Sequence, residues 1–245
     1  MKITIAGYGF VGKAHEALLK DKHEIVIVDP AFNNNKIPKD TDAVIVCVST
    51  PQGSNGNCHM NNVYEVLEDS PDVPILIKST ISIEGWRMLK HVFPTRMMTF
   101  SPEFLRAASA VDDLTTQKVM LIGGNNTLFW QDIFDCHLEV SDPEALIIAK
   151  YARNSFLALK VAYFNQIYDL CCSKGIDYEA VRYYTAMDNR IGDSHMSITS
   201  ERGFGGHCFP KDTQAIISSA SKDNVDLSIL KEAVVYNNNI RVKSI

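Results

Sequence analysis

The chain has 245 residues, 46% hydrophobic and 22% charged, the make-up of an ordinary globular protein long enough for one large or two modest domains. Its formal charge of −5, from 24 basic against 29 acidic residues with no long basic run, argues against a nucleic-acid partner, and no apolar run reaches the roughly 18 residues of a membrane span. The six cysteines (47, 58, 136, 171, 172 and 208) are dispersed without a C-x-x-C pair, so thiols in a reducing cytoplasm are expected, not disulfides or a structural metal site. A strand begins after a single lysine, so no signal peptide is expected ahead of it.

Residues 2–6 (Lys-Ile-Thr-Ile-Ala) read as a buried strand, followed by Gly7-Tyr8-Gly9-Phe10-Val11-Gly12 and a helix to about Lys20. A second strand over 24–28 ends at Asp29. Strand, glycines, helix, strand and acid, in that order, make a dinucleotide site. Gly7 permits the tight turn, Gly9 lets a pyrophosphate approach the backbone, and Gly12 allows the helix to pack closely on the sheet. Asp29 would accept hydrogen bonds from the adenosine ribose and repel the extra phosphate of NADP, so the expected cofactor is NAD. Its expected contacts are Gly7, Gly9, Phe10, Val11, Gly12 and Asp29, together with Ser49, Thr50 and Thr80 further along.

After a polar loop containing Asn33-Asn34-Asn35, residues 42–48 form a strand too apolar to face water on either side. It runs into Ser49-Thr50-Pro51 and a Gly/Asn-rich loop over 52–61, placed to cover a cofactor at the carboxyl edge of a parallel sheet. Cys58 and His59 lie in that loop, and two isolated ligands do not make a metal site. A helix near 61–69, a strand over 74–77, a helix over 84–91 and strands over 96–100 and 118–122 continue the alternation, which implies right-handed crossovers in one parallel sheet. Thr80 and Glu103 would both emerge at its carboxyl ends.

From Asp142 to about Lys174 the pattern becomes one long helix, capped by Ser141 or Asp142 with Pro143 in the first turn. Leu146, Ile147, Phe156, Leu159, Val161, Phe164 and Ile167 cover more than one of its faces, which calls for a partner such as a second copy of the chain, making a homodimer. Lys150 and Asn154 share a face of this helix; an exposed polar stripe explains them as well as a buried pair does. Helices follow over 177–187, from about Lys211, and near 226–240, with a polar connection over 188–200. The expected architecture is α/β: a Rossmann-type parallel-sheet domain over 1–141, then a helical domain over 142–245 built on the long central helix.

Glu201-Arg202-Gly203-Phe204-Gly205-Gly206-His207-Cys208-Phe209-Pro210-Lys211-Asp212 places a thiol after three glycines and before a proline that can open a helix. Unpaired N–H groups and the positive helix end favour a thiolate there, the setting of a covalent nucleophile. A glycine turn around an ordinary buried cysteine fits the segment too.

Taken together, Gly7-Tyr-Gly-Phe-Val-Gly12, Lys78-Ser-Thr80, Ser101-Pro-Glu-Phe-Leu-Arg106, Lys150-Tyr-Ala-Arg-Asn154 and Gly203-Phe-Gly-Gly-His-Cys-Phe-Pro-Lys-Asp212 resemble the UDP-glucose/GDP-mannose dehydrogenase family, in the family's order. The resemblance implies oxidation of the C6 alcohol of a nucleotide sugar to a carboxylate with two NAD, through a thiohemiacetal and a thioester on Cys208. It implies that Lys150 and Asn154 stabilise the oxygen that gains charge, and that Asp212 and Thr80 hold water. It makes Glu103 an acid near the site, Phe104, Leu105 and Arg106 a lining of the sugar-nucleotide pocket, and Gly203, Phe204, Gly205 and Gly206 a close approach to the hexose. Structural roles stand beside these: Thr80 as a helix cap, Glu103 in a loop ion pair, Asp212 at a helix start, Lys211 as a surface cation. A two-electron alcohol dehydrogenase and an NAD-binding protein without turnover are the other functional readings.

Two departures qualify the resemblance. Where the family carries a second glutamate after Pro-Glu-Phe-Leu-Arg, this chain has Ala107, which can neither move a proton nor order water; His207 is a candidate substitute. The family also continues past a helix ending near 240 into a further α/β domain that this sequence does not contain. A substrate held by the first two parts and a partner subunit, a smaller activated sugar, and a sequence that is a piece of a longer chain remain open.

Overall fold

A computed structural model describes residues 1–32, 34, 36–53, 56, 58–206 and 208–241. Asn33 and Asn35 of the polar loop, and Ser54, Asn55 and Asn57 of the Gly/Asn-rich loop, lie outside the described residues. The chain divides into two compact units, the first of Met1–Gly53 and Cys58–Lys150, the second running from Tyr151 onward and including Gly56.

The first unit is a seven-stranded sheet of β1 (Lys2–Ala6), β2 (Glu24–Val28), β3 (Ala43–Val46), β4 (Ile75–Ile77), β5 (Met98–Phe100), β6 (Val119–Gly124) and β7 (His137–Val140), in the order β2-β1-β3-β4-β5-β6-β7. Helices α1 (Phe10–Leu19), α2 (Asn61–Asp69), α3 (Ile83–Val92), α4 (Ala110–Thr115) and α5 (Thr127–Gln131) connect the strands. Every residue of β3 and β4 is buried, which explains their unbroken apolar runs: a strand covered on both faces has no polar side to show. Ile3, Ile5, Ile45, Leu76, Met120 and Ile122 from the strands pack with Ala14, Leu19, Leu114 and Trp130 from the helices and with Phe134 from the loop after α5. The indole N–H of Trp130 donates to Thr99 Oγ1 at 3.2 Å, so this large core side chain buries no unsatisfied donor.

The expectation of a wholly parallel sheet needs one correction. Strands β2, β1, β3, β4 and β5 are parallel neighbours, but β6 pairs antiparallel with β5 through Thr99–Gly124 and Phe100–Gly123, and β7 then lies parallel to β6. Between β5 and β6 the only α-helix is α4, six residues and about 9 Å long. The chain therefore turns back from the edge where β5 ended instead of recrossing the sheet. The switch in strand order falls between β1 and β3, whose carboxyl ends lead into Gly7 and Cys47.

The second unit is helical. Helix α6 spans Pro143–Lys174 and continues into it from the first; α7 (Tyr178–Ala186), α8 (Phe209–Lys222) and α9 (Ser228–Ile240) follow. The α6 start is capped as expected, with Asp142 Oδ1 accepting from the N–H groups of Glu144 at 2.7 Å and Ala145 at 3.1 Å. Ala158, Ala162 and Phe204 form a core with Val161, Phe209, Ala233, Val234 and Tyr236, so the loop carrying the cysteine is packed on α6 and α9. No helix among the described residues is long and apolar enough to cross a membrane.

Candidate active site

In the first unit the glycine turn leaves β1 with Gly7 at φ +93°, and a Cβ there would lie 2.6 Å from the Cys47 carbonyl group. A Cβ at Gly12 would sit 2.1 Å from Gly7 O, so α1 approaches the turn at a distance only glycine allows. Gly9, the N-cap of α1, faces open space, and no side chain caps the helix. The first N–H groups of α1, including those of Phe10 and Val11, are therefore uncovered by any cap, a cradle that fits a pyrophosphate. Asp29 accepts from Tyr8 N–H through Oδ2 at 2.7 Å and from Ala31 N–H through Oδ1 at 2.9 Å, which fixes its carboxylate at the end of β2. At the neighbouring strand ends, Thr50 Oγ1 donates to Thr80 O at 2.7 Å, and exposed Ser49 accepts from Asn62 Nδ2 at 2.9 Å.

Deeper in the same unit lies a cluster of charges. Lys78 and Glu103 are both buried, with Nζ 3.0 Å from Oε2. That contact is an ion pair enclosed in the core. The Lys78 ammonium also donates to Ser101 Oγ at 2.9 Å, and Glu103 Oε1 accepts from Phe104 N–H at 2.8 Å. Burial is the largest single influence and pushes the Glu103 carboxyl up, but the Lys78 charge and the other groups that favour the anion, Phe104 N–H among them, together outweigh it and hold the carboxyl below the ordinary carboxylate range. His15, wholly enclosed in α1, shows the opposite balance: burial first and Lys78 second pull its imidazole down to about 4, so it is neutral. Its Nδ1 faces Val11 O at 2.9 Å, and its Nε2 has no hydrogen-bond partner.

Lys150, buried on α6, donates to the main-chain carbonyl of Glu103 and lies 5.2 Å from the centre of the Phe104 ring. Leu105 packs against the sheet core, and exposed Arg106 forms a bidentate pair with Asp113 of α4, donating to Oδ1 at 2.5 Å and to Oδ2 at 3.1 Å. Ala107 is exposed on a short 3₁₀ turn.

In the second unit Cys208 is half-buried and stands at the N-cap of α8, with Pro210 in the first turn. One turn on, Asp212 is almost wholly enclosed; its Oδ2 accepts from Asn154 Nδ2 at 2.6 Å and its Oδ1 from Lys211 Nζ at 2.8 Å. Asn154 is thus buried and paired, not part of an exposed stripe. Gly203 and Gly205 are filled from within the unit: a Cβ at either would meet Asn237 Oδ1 or the Arg241 guanidinium at 2.2 Å. Gly206, at φ +75°, faces open space. His207 lies outside the described residues.

Residues 31–133 match the NAD binding domain of the UDP-glucose/GDP-mannose dehydrogenase family, and residues 145–239 match that family's central domain. The chain belongs to this family. It carries the family's NAD-binding domain, and NAD is its cofactor. It is 31% identical over 229 residues to a UDP-glucose 6-dehydrogenase of Rickettsia bellii, an alignment covering 86% of this chain and 52% of the relative. The chain spans about half the length of the curated relatives it matches first. Among solved structures, a UDP-glucose dehydrogenase from Pyrobaculum islandicum superposes with a TM-score of 0.81 at 24% identity, covering 97% of this chain and 68% of that one. A 3-hydroxyisobutyrate dehydrogenase from Mycobacterium tuberculosis superposes with a TM-score of 0.75 at 15% identity, covering 97% and 93%. At these identities the structural likenesses establish the fold.

Three residues outside the expected catalytic set stand directly on it. Lys78 faces Glu103, and Asn165 and Asn237 hold the backbone ahead of Cys208. Lys78 carried a signal, a cation at the end of an apolar strand. An asparagine within a helix carries none until its distant partner is known.

Proposed function

We propose that this chain is an NAD-dependent nucleotide-sugar 6-dehydrogenase, oxidising the C6 alcohol of a UDP-glucose-like substrate to the uronic acid in two two-electron steps. Family membership and the names of the relatives support the reading. The observation that carries it is local: Cys208 opens α8, and one turn later Asp212 is buried with its carboxylate held by Asn154 and Lys211. A buried, paired acid one turn from a cysteine is more than a helix start requires.

NAD supplies the acceptor for the two hydrides that leave the sugar carbon. Gly7, Gly9, Phe10, Val11, Gly12 and Asp29 hold it, with Ser49, Thr50 and Thr80 beside them. The Lys150 ammonium and the Asn154 amide stabilise the oxygen as it gains negative charge. Cys208 Sγ adds to the aldehyde carbon: a C–S bond forms and the carbonyl electron pair moves to oxygen, which takes a proton. Loss of the second hydride from that carbon, with the hydroxyl proton released to water, leaves a thioester on Cys208. Water then adds, the C–S bond breaks, and the sulfur departs as thiolate while the carboxylate is released. Asp212 and Thr80 are the proposed water-holding residues. With Ala107 in place of a second acid, and Glu103 ion-paired to Lys78, we assign Glu103 a positional role: its carbonyl anchors Lys150. Phe104, Leu105, Arg106 and Gly203 to Gly206 are proposed to line the substrate's path.

The test is a screen of UDP- and GDP-sugars with NAD, comparing wild type with Cys208→Ser. Two NADH per sugar, an acid product, and a variant that stops after one oxidation with no covalent adduct by intact mass are expected. One NADH per sugar in the wild type, or acid production that survives the substitution, removes the four-electron reading.

We also propose a homodimer through α6 and a cytoplasmic setting. Phe156, Tyr163 and Leu170 are exposed at seven-residue spacing along α6, the repeat of a helix seam, and the six cysteines form no disulfide among the described residues. Phe156→Glu is expected to halve the mass measured by sedimentation; an unchanged mass rejects this seam.

A further inference from the structure

The segment from Glu201 to Cys208 has an unusual backbone. Arg202 and Gly203 both lie in the left-handed region, at φ 56° and 57°, and Gly206 does so again at 75°. A chain twisted in this way cannot join a helix or a sheet ladder, so its N–H and C=O groups need partners from elsewhere. They find them in side chains of α6 and α9. Asn237, 3% exposed, meets both polar groups of Phe204: Oδ1 accepts its N–H at 2.6 Å and Nδ2 donates to its C=O at 3.1 Å. Asn165, 2% exposed, accepts from Gly203 N–H at 3.2 Å and from Arg202 Nε at 2.8 Å through Oδ1, while its Nδ2 donates to Val161 O at 2.9 Å. The Arg241 guanidinium donates to Arg202 O at 3.1 Å and to Glu201 Oε2 at 2.5 Å, and lies where a Cβ of Gly205 would be. The Phe204 ring is buried against Ala158 and Ala162.

Together the contacts hold Glu201, Arg202, Gly203 and Phe204, and at Phe204 the amide of Asn237 offers a donor and an acceptor side by side. Aspartate at 237 would bring a carboxylate against a carbonyl, and a leucine would leave both Phe204 groups unmet. The loop is thus pinned four residues before the sulfur, and Cys208 is pinned after it as the N-cap of α8.

We propose that Asn237, assisted by Asn165, is a positioning residue that sets where Cys208 Sγ stands for its attack on the aldehyde carbon. The proposal rests on Cys208 being the nucleophile. Addition to a carbonyl requires close, aligned approach, and a displacement near 1 Å costs about 100-fold in rate. The first oxidation, alcohol to aldehyde, makes no bond to sulfur and is not subject to that constraint.

The experiment compares wild type, Asn237→Ala and Asn238→Ala, the last an exposed neighbour on the same helix. Three quantities are read: hydrogen exchange of the peptide spanning 201–209, the rate of Cys208 alkylation by iodoacetamide relative to exposed Cys172, and NADH formed per UDP-glucose with aldehyde trapped by hydroxylamine. In Asn237→Ala, exchange and relative alkylation are expected to rise at least about tenfold and fivefold. NADH per sugar falls from two towards one, with the first oxidation within about threefold of wild type; Asn238→Ala matches wild type throughout. If Asn237→Ala does not fold, Gly203→Ala attacks the clamp from its other side, since the new Cβ would strike Asn237 Oδ1. The same rises in exchange and relative alkylation are expected there.

A folded Asn237→Ala or Gly203→Ala with unchanged exchange and alkylation overturns the clamp. Both oxidations slowed equally, with no aldehyde released, overturns the positioning role and leaves a structural one. Should the wild type itself form one NADH per sugar, the nucleophile reading fails, while exchange and alkylation still report whether Asn237 holds the loop.

Discussion

The two units bury polar groups by different means. In the first, Lys78, Glu103 and His15 sit in the core as full charges and an uncharged imidazole balanced against each other. In the second, the backbone ahead of Cys208 is held by Asn165 and Asn237, amides that carry no charge of their own and satisfy two or more partners each. A buried ion pair owes its stability to its partner, because either charge alone would face the desolvation penalty unaided. An amide owes nothing to protonation. The first unit should therefore be sensitive to pH and to removal of a single charge, and the loop clamp indifferent to pH.

The largest expected effect is at Lys78. Lys78→Met leaves Glu103 buried without its cation and should lower stability by about 3–5 kcal/mol in urea unfolding, whereas Lys78→Met combined with Glu103→Gln should recover most of the loss. A double variant no better than the single one would show that charge balance is not what matters there.

Next comes pH. The folded His15 titrates near 4 against 6.5 for an ordinary imidazole, so between those values the unfolded chain binds a proton that the folded chain refuses. Stability falls as pH drops through that window, by about 3 kcal/mol in total, and below 4 this contribution changes no further. Glu103, held down by Lys78, adds a separate loss at more acid pH, as its carboxylate is protonated in the unfolded chain before the folded one. His15→Leu should remove the upper window only, as read from thermal midpoints between pH 7 and 4. Identical acid slopes for variant and wild type would contradict the assignment.

The smallest effect is predicted where charges are exposed. Arg106→Ala breaks a well-formed pair with Asp113, yet the guanidinium is 77% exposed, so the midpoint should move by no more than about 2 °C. A shift as large as that of Lys78→Met would erase the distinction between buried and exposed pairs.

Most of this architecture is legible in the order of residues because the signals are local. Apolar runs at 2–6, 24–28 and 43–46, the glycines between them and Asp142-Pro143 ahead of α6 each act over a few positions. What escapes has a weak local signal or a distant partner. β7 buries only Leu138 of its four residues, too little to betray an edge strand, and α5 spans five residues. The direction of β6 depends on how short α4 is, not on β6 itself. At the candidate site, Gly7 and Gly12 stand out by spacing, while Cys208 and Asp212 stand out through the motif they share with the family. The packing of Gly203 against Asn237 and of Gly205 against Arg241 joins positions more than thirty residues apart, which no reading of one helix reveals.

Asp29 carries a last implication. Both of its oxygens already grip main-chain amides, one of them at Tyr8 inside the glycine turn. Trading this acid for a smaller neutral residue to admit a phosphorylated ribose would also unfasten the bend that seats the pyrophosphate. Cofactor preference and the shape of the cradle are thus tied to one side chain, and an engineered switch has to rebuild the second while altering the first.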